Sequence, residues 1–203
     1  MGQIVLTPAD GAPSVTASGF VRRDGVLCAE QVPLPAIAAA EGTPAYVYSA
    51  STIRSRYRAL AEAFAGVDHH IHFAVKANSN LAVLALLREL GAGVDIVSGG
   101  ELQRALAAGF HGGDVVFSGV GKTVEEIDAA LQAGVRLINI ESEAELEVVN
   151  ARAALRGMVA PIAIRVNPEV TVDTPHAYIK TGEKGQKFGI PRDDVTRLLG
   201  VIA

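Results

Sequence analysis

The sequence has little of several things, and each shortage excludes a class. It holds one cysteine and no tryptophan. A lone Cys28 cannot form an internal disulfide, which points to a reducing compartment. No apolar run approaches the roughly 18 residues of a membrane span. Positive charge is not in excess: 18 basic against 22 acidic residues give a net charge of −4. No basic stripe is present to hold a nucleic-acid backbone. Neither nucleic acid nor membrane is therefore expected as a partner. The opening residues, MGQIVLTPADGAPS, lack the charged start and long apolar core of a secretory signal. A cytoplasmic protein is expected. Apolar residues are not scarce: at 49% hydrophobic over 203 residues, the chain can build a sizeable core.

Residues 1–19 carry Gly, Pro, Ser and Thr with little periodicity and read as loose or extended. Asp24-Gly25 between short apolar stretches signals a hairpin within 20–34. Pro33 and Pro35 precede a short alanine-rich helix. After Gly42 a rhythm begins. Strands are predicted at 45–48, 71–75, 94–97, 115–117, 137–140 and 162–166. Helices are predicted from a Ser51 or Thr52 cap to about 66, then at 81–90, 101–108, 124–133 and 144–155. A polar stretch spans 167–189, and a last helix follows Pro191. Glycine recurs as the helix stop. The strands are apolar runs without polar alternation, the pattern of strands buried on both faces. That predicts βαβ units in a parallel sheet, either doubly wound or closed as a barrel. A full barrel needs eight strands and about 250 residues. Five strands fall between 71 and 166, and residues 198–203 look like the approach to another.

Some motifs resemble sites they do not complete. The string GVGKT at 119–123 ends like a phosphate-binding P-loop, but Val116 stands where that loop needs its first glycine. It reads as a strand-to-helix turn capped by Thr123. Gly91-Ala92-Gly93 has Ile96 in place of a third glycine and leads into a strand. His69, His70 and His72 cluster without a carboxylate or cysteine at ligand spacing, so no metal is expected. Cys28 reads as a structural thiol.

The informative segment is IHFAVKANSN at 71–80. An apolar strand ends abruptly in Lys76, and small polar residues open the next helix. Strand C-termini form the active face of parallel α/β proteins. A lysine at that mouth is either a desolvated amine suited to Schiff-base chemistry or a side chain snorkelling to solvent. Asp95 lies inside the next strand between Val94 and Ile96. There an unpaired carboxylate is costly, so it needs a cation, with Lys76 the candidate. Arg165, inside the last strand, also needs a partner. Several charges converging at strand ends suggest a site.

Five stretches in order carry a resemblance: FAVKAN at 73–78, GAGVDIVSGGEL at 91–102, VFSGVGKT at 116–123, IRVNP at 164–168, and Thr181-Gly182 with KFGI at 187–190. From about Phe20 to Arg192 the chain resembles the alanine-racemase-like, fold type III, pyridoxal-phosphate decarboxylases, and within them the decarboxylases of meso-2,6-diaminopimelate. The resemblance implies an α/β fold, a (β/α)8 TIM barrel of which about five strands are present. It implies that residues 1–42 form an N-terminal segment, with strands that belong to a C-terminal β domain, and that 43–203 form a truncated barrel. It implies pyridoxal 5′-phosphate as cofactor, with Lys76 forming the Schiff base and Asp95 and Arg165 lining the cofactor pocket. His176, Thr181 and Lys187 fall where relatives border the substrate mouth or the dimer interface, although Lys180 departs from the small polar residue usual before Thr-Gly. The implied reaction is decarboxylation of diaminopimelate to L-lysine by a homodimer. Ornithine or arginine decarboxylases, alanine racemase and a non-catalytic pyridoxal-binding barrel are the alternatives. The family's ring-stacking histidine, phosphate loop, pyridine-binding glutamate and partner-subunit cysteine segment are expected beyond residue 203. By itself the 203-residue chain is expected to be inactive.

Overall fold

Asp24 and Gly25 both take positive φ, 49° and 80°. Two such residues in succession match the twist of a tight hairpin, and glycine takes the second without steric cost. They join β1 (Phe20–Arg23) to β2 (Val26–Ala29), which pair antiparallel with β3 (Val32–Pro33) alongside. The computed structural model describes residues 19–168 and 188–202. These fall into two compact units that divide between His69 and His70.

The first unit continues with α1 (Leu34–Glu41), which carries proline in its first turn, where no amide is missed. It ends with α2 (Ala50–Ala63). The cap of α2 is Ser49, whose hydroxyl accepts the amide of Thr52, rather than Ser51 or Thr52. The Glu30 carboxylate accepts the Ser51 amide and the Ser49 hydroxyl, and the Ser51 amide does most to hold it below the usual carboxylate range. Residues 45–48 do not form a strand: no ladder partner pairs with them among the described residues, and Tyr46 is 92% exposed.

The second unit is a parallel sheet and its helices. The strands are β4 (His72–Ala74), β5 (Gly93–Ile96), β6 (Val115–Phe117), β7 (Leu137–Ile140) and β8 (Ile162–Ile164). They pair in sequence order, every pair parallel. Between them run α3 (Leu81–Glu89), α4 (Gly99–Ala107), α5 (Val124–Ala133) and α6 (Glu143–Ala154), each packed on the next. A doubly wound sheet reverses strand order at a switch point, and this one does not. Sequential strands under sequential helices are a segment of a barrel wall, about five of eight strands.

Period-two alternation sorts the two faces of the wall. Val94, Ile96, Val115, Phe117, Ile138 and Ile140 are fully buried against the helices. Burying each such side chain contributes roughly 1.5–3 kcal/mol. The alternate residues, among them Asp95, Val116 and Asn139, are half-buried on the concave face. Burial on both faces, expected from the apolar runs, is thus complete on the helical face alone. Strand β8 also stops sooner than 166. The chain breaks at Arg165, and β9 (Val166–Asn167) pairs in parallel with β10 (Ile190–Pro191). The final element is α7 (Arg192–Ile202). Residues 198–202, expected to lead into a strand, belong to this helix, and Leu198 is buried at 1% exposure.

Candidate active site

Lys76 sits in a single 3-10 turn, Val75–Ala77, directly after β4. Two anchors fix that turn. Val75 is fully buried, and the amide of Asn78 donates to its carbonyl at 3.0 Å. Beyond it the Asn80 side chain caps α3 by accepting the amides of Ala82 and Val83. The backbone is thereby held while the lysine amine stays exposed, without a hydrogen-bond or ion-pair partner among the described residues.

The amine lines a cleft of about 720 Å³ at the C-terminal ends of the strands. Successive strand ends supply its polar wall: Asp95 from β5, Ser118 after β6, Asn139 from β7 and Arg165 after β8. The Asn139 amide nitrogen donates to Ser118 Oγ at 2.9 Å, and the Ser118 hydroxyl donates to Asp95 Oδ1. Because Asn139 donates, the hydroxyl proton is directed to the carboxylate. The expected Lys76 partner for Asp95 is thus replaced by Ser118. Ala74, not Lys76, stands opposite Asp95 in the register, and Ser118 comes from the other neighbouring strand.

Arg165 finds its partner in Glu141, which follows β7. Arg165 Nη1 donates to Glu141 Oε1 at 2.9 Å, and its guanidinium lies 4.8 Å from the Phe188 ring centroid. Below this wall, Lys122 donates to the carbonyls of Gly119 and Asn139 and to Glu145, each at 2.7 Å. Its side chain is 1% exposed, so it ties the loop after β6 to β7 and α6. Glu126 accepts the amides of Gly99 and Thr123, which hold its carboxyl below the usual range, Gly99 first.

His70 and His72 do not line the cleft. The His70 and His72 rings meet edge-on at 4.7 Å, and burial pushes the His72 imidazole down. No group of three metal-capable side chains occurs among the described residues. Cys28 is buried in β2. An apolar groove of about 310 Å³ between α6 and α7, lined by Leu146, Met158 and Leu198, contains no lysine, histidine or serine.

The structure therefore brings Lys76, Asp95 and Arg165 to one cleft. His176, Thr181 and Lys187 lie outside the described residues. Ser118, Asn139 and Glu141 join the arrangement without having been singled out in the sequence. The available signal was positional, since each stands inside or just beyond an apolar strand. A partnerless amine, a hydrogen-bonded carboxylate and a guanidinium around one cleft suit an anionic carbonyl compound that condenses with an amine.

Comparison with known proteins fits this geometry. Residues 50–203 match the family described as pyridoxal-dependent decarboxylase, pyridoxal binding domain. A diaminopimelate decarboxylase of Pseudomonas aeruginosa is 54% identical over 175 residues, covering 86% of this chain and 42% of that protein. Among solved structures, diaminopimelate decarboxylase from M. jannaschii in co-complex with L-lysine is 35% identical with a TM-score of 0.80, covering 90% of this chain and 43% of that one. Diaminopimelate decarboxylase from Helicobacter pylori complexed with L-lysine is 41% identical with a TM-score of 0.77, covering 81% and 42%. The chain spans about two fifths of the length of the curated relatives it matches.

Proposed function

The chain belongs to the pyridoxal-dependent decarboxylase family and carries its pyridoxal-binding domain, and from that premise we propose that it is the cofactor-bearing part of an enzyme that decarboxylates meso-2,6-diaminopimelate to L-lysine. The observation that carries the reading is the exposed Lys76 amine at a strand-end cleft, partnerless among the described residues and faced by Asp95 and Arg165. Those residues fit pyridoxal 5′-phosphate: an amine for its carbonyl, a guanidinium for its anionic oxygens and a carboxylate for a cationic nitrogen. When bound, the cofactor supplies an electron sink for the pair released as the substrate carboxylate leaves.

The chain's own residues bind and orient. Lys76 would hold the cofactor through its free amine. Asp95 has one oxygen held by Ser118, which leaves the other for a cationic nitrogen. Arg165 keeps positive charge at the rim. Ile164 and Val97 give the cleft apolar wall that limits water. His176, Thr181 and Lys187 border the substrate mouth or a homodimer interface in this reading. Residues 1–42 belong with a β domain contributed by further chain, and their antiparallel β1–β3 sheet supports that assignment.

The choice of diaminopimelate over other basic amino acids is supported by the relatives of about 50% identity that bear its name. It is tested by CO2 release from the full-length protein supplied with diaminopimelate, lysine, ornithine or arginine. Diaminopimelate is expected to be the best substrate by a wide margin. Equal turnover of ornithine or arginine would overturn the substrate assignment. Cofactor uptake without release from any of the four would support a non-catalytic pyridoxal-binding barrel instead.

A further inference from the structure

Glu141 does not line the cleft, yet it holds Arg165, which does, and the amide of Gly189, whose neighbour Phe188 also lines it. Its side chain is 4% exposed, and both carboxylate oxygens are engaged. Oε1 accepts Arg165 Nη1 at 2.9 Å, and Oε2 accepts the amide of Gly189 at 3.0 Å, 48 residues further along the chain. Gly189 follows Phe188, whose ring carries the Arg165 guanidinium. Arg165 and Phe188 both face the cleft.

The junction is tight in the backbone as well. The amide of Ile190 donates to the Arg165 carbonyl at 2.8 Å. Gly189 has φ 80°, and a Cβ there would lie 2.9 Å from both the Arg165 carbonyl oxygen and the Asn167 amide nitrogen. Behind Glu141, its own amide donates to Glu145 Oε2 at 2.6 Å, and Glu145 is tied to buried Lys122. Glu141 is thus fixed from the side of β7 and α6, and it fixes the cleft rim in front.

We infer that Glu141 is a positioning residue, which sets the Arg165 guanidinium and the Phe188–Gly189 turn at the rim of the cleft. The inference rests on the reading of that cleft as the pyridoxal site. The Arg165 guanidinium has no other hydrogen-bond partner among the described residues, and its side chain is 42% exposed. Without the Glu141 charge it turns to water, while the backbone bonds of β8 to β10 persist. The ligand then meets a mobile cation in place of an oriented one.

The test uses the full-length protein stripped of cofactor and titrated with pyridoxal phosphate, followed by visible absorbance. Wild type, Glu141→Gln, Arg165→Gln and the double variant are compared, with thermal unfolding of each apo-protein alongside. Glutamine keeps the volume and an acceptor for Gly189. The titrations are run where every variant is fully folded. Each single variant is expected to bind on the order of tenfold more weakly, the usual scale for loss of an orienting partner. The double variant is expected to bind no more weakly than Arg165→Gln, since Glu141 acts through Arg165. Unchanged affinity in Glu141→Gln overturns the inference. So does an equal Glu141→Gln loss in the Arg165→Gln background, the sign of a merely structural role. A wild type that takes up no pyridoxal phosphate overturns the reading of the cleft, and this inference with it.

Discussion

Lys76 and Lys122 show how placement decides what a lysine does. Lys122 is 1% exposed, with its three donors spent on two carbonyls and Glu145. Lys76 is exposed at the cleft with none of its donors engaged among the described residues. The first lysine is structural. Lys122→Met strands a nearly buried carboxylate and two carbonyls, and is expected to cost about 3 kcal/mol. Denaturant unfolding of the full-length protein measures this; a loss under about 1 kcal/mol would contradict the assignment. Lys76, Asp95 and Arg165 were legible because a charge interrupts an apolar strand. Ser118 and Asn139 were not, since an uncharged polar residue in a strand costs little once bonded and leaves no mark. Glu141 was hidden among the acidic residues that open α6, where Glu143 and Glu145 read as ordinary first-turn carboxylates.

At the scale of elements, most strands and helices followed from apolar runs, caps and glycine stops. Strand β6, strand β7 and helix α5 match their expected bounds. Residues 45–48 failed because a strand needs a neighbour, which a local pattern does not supply. The run 162–166 splits at Arg165, whose amide still bonds to the Ile140 carbonyl of β7 while its carbonyl accepts the Ile190 amide of β10. Helix α5 owes its start to a capping box, with Thr123 Oγ1 accepting the Glu126 amide and Glu126 accepting that of Thr123. Thr123→Ala is expected to cost about 1 kcal/mol, read from the unfolding midpoint. Helices α5 and α6 are also tied by Asp128, which meets Arg152 and Arg156. The Arg152 hydrogen bond leads in drawing the Asp128 carboxyl down from 3.8 to about 2. Folding therefore favours the ionised form. The stabilisation is present above pH 3.8 and is lost as pH falls from there through about 2. Asp128→Asn is expected to flatten the acid side of the stability profile between those values. The effect is small, because the pair is partly exposed and salt screens it. An unchanged acid limb would contradict the tie.

At the scale of the whole molecule, five parallel strands in sequence order place their C-terminal ends along one rim. That order brings residues 76, 95, 118, 139 and 165 to one cleft, although they span 90 positions of sequence (165 − 76 + 1). The fold class was legible because strand and helix alternate at a short, regular interval. The sheet's closure was not, since spacing alone allowed a doubly wound sheet as well as a barrel. The chain spans about two fifths of its curated relatives, and residues 1–203 made alone are expected to release no CO2 from diaminopimelate. Turnover from that segment would place the complete catalytic machinery within it.

In the proposed function, Lys76 is the residue that takes pyridoxal phosphate covalently. Borohydride reduction of the cofactor-loaded full-length protein, followed by digestion and mass spectrometry, tests it most directly. A pyridoxyl group is expected on the peptide containing Lys76, and none anywhere in Lys76→Ala. A label on another lysine, or no label on a protein that holds the cofactor, would contradict it.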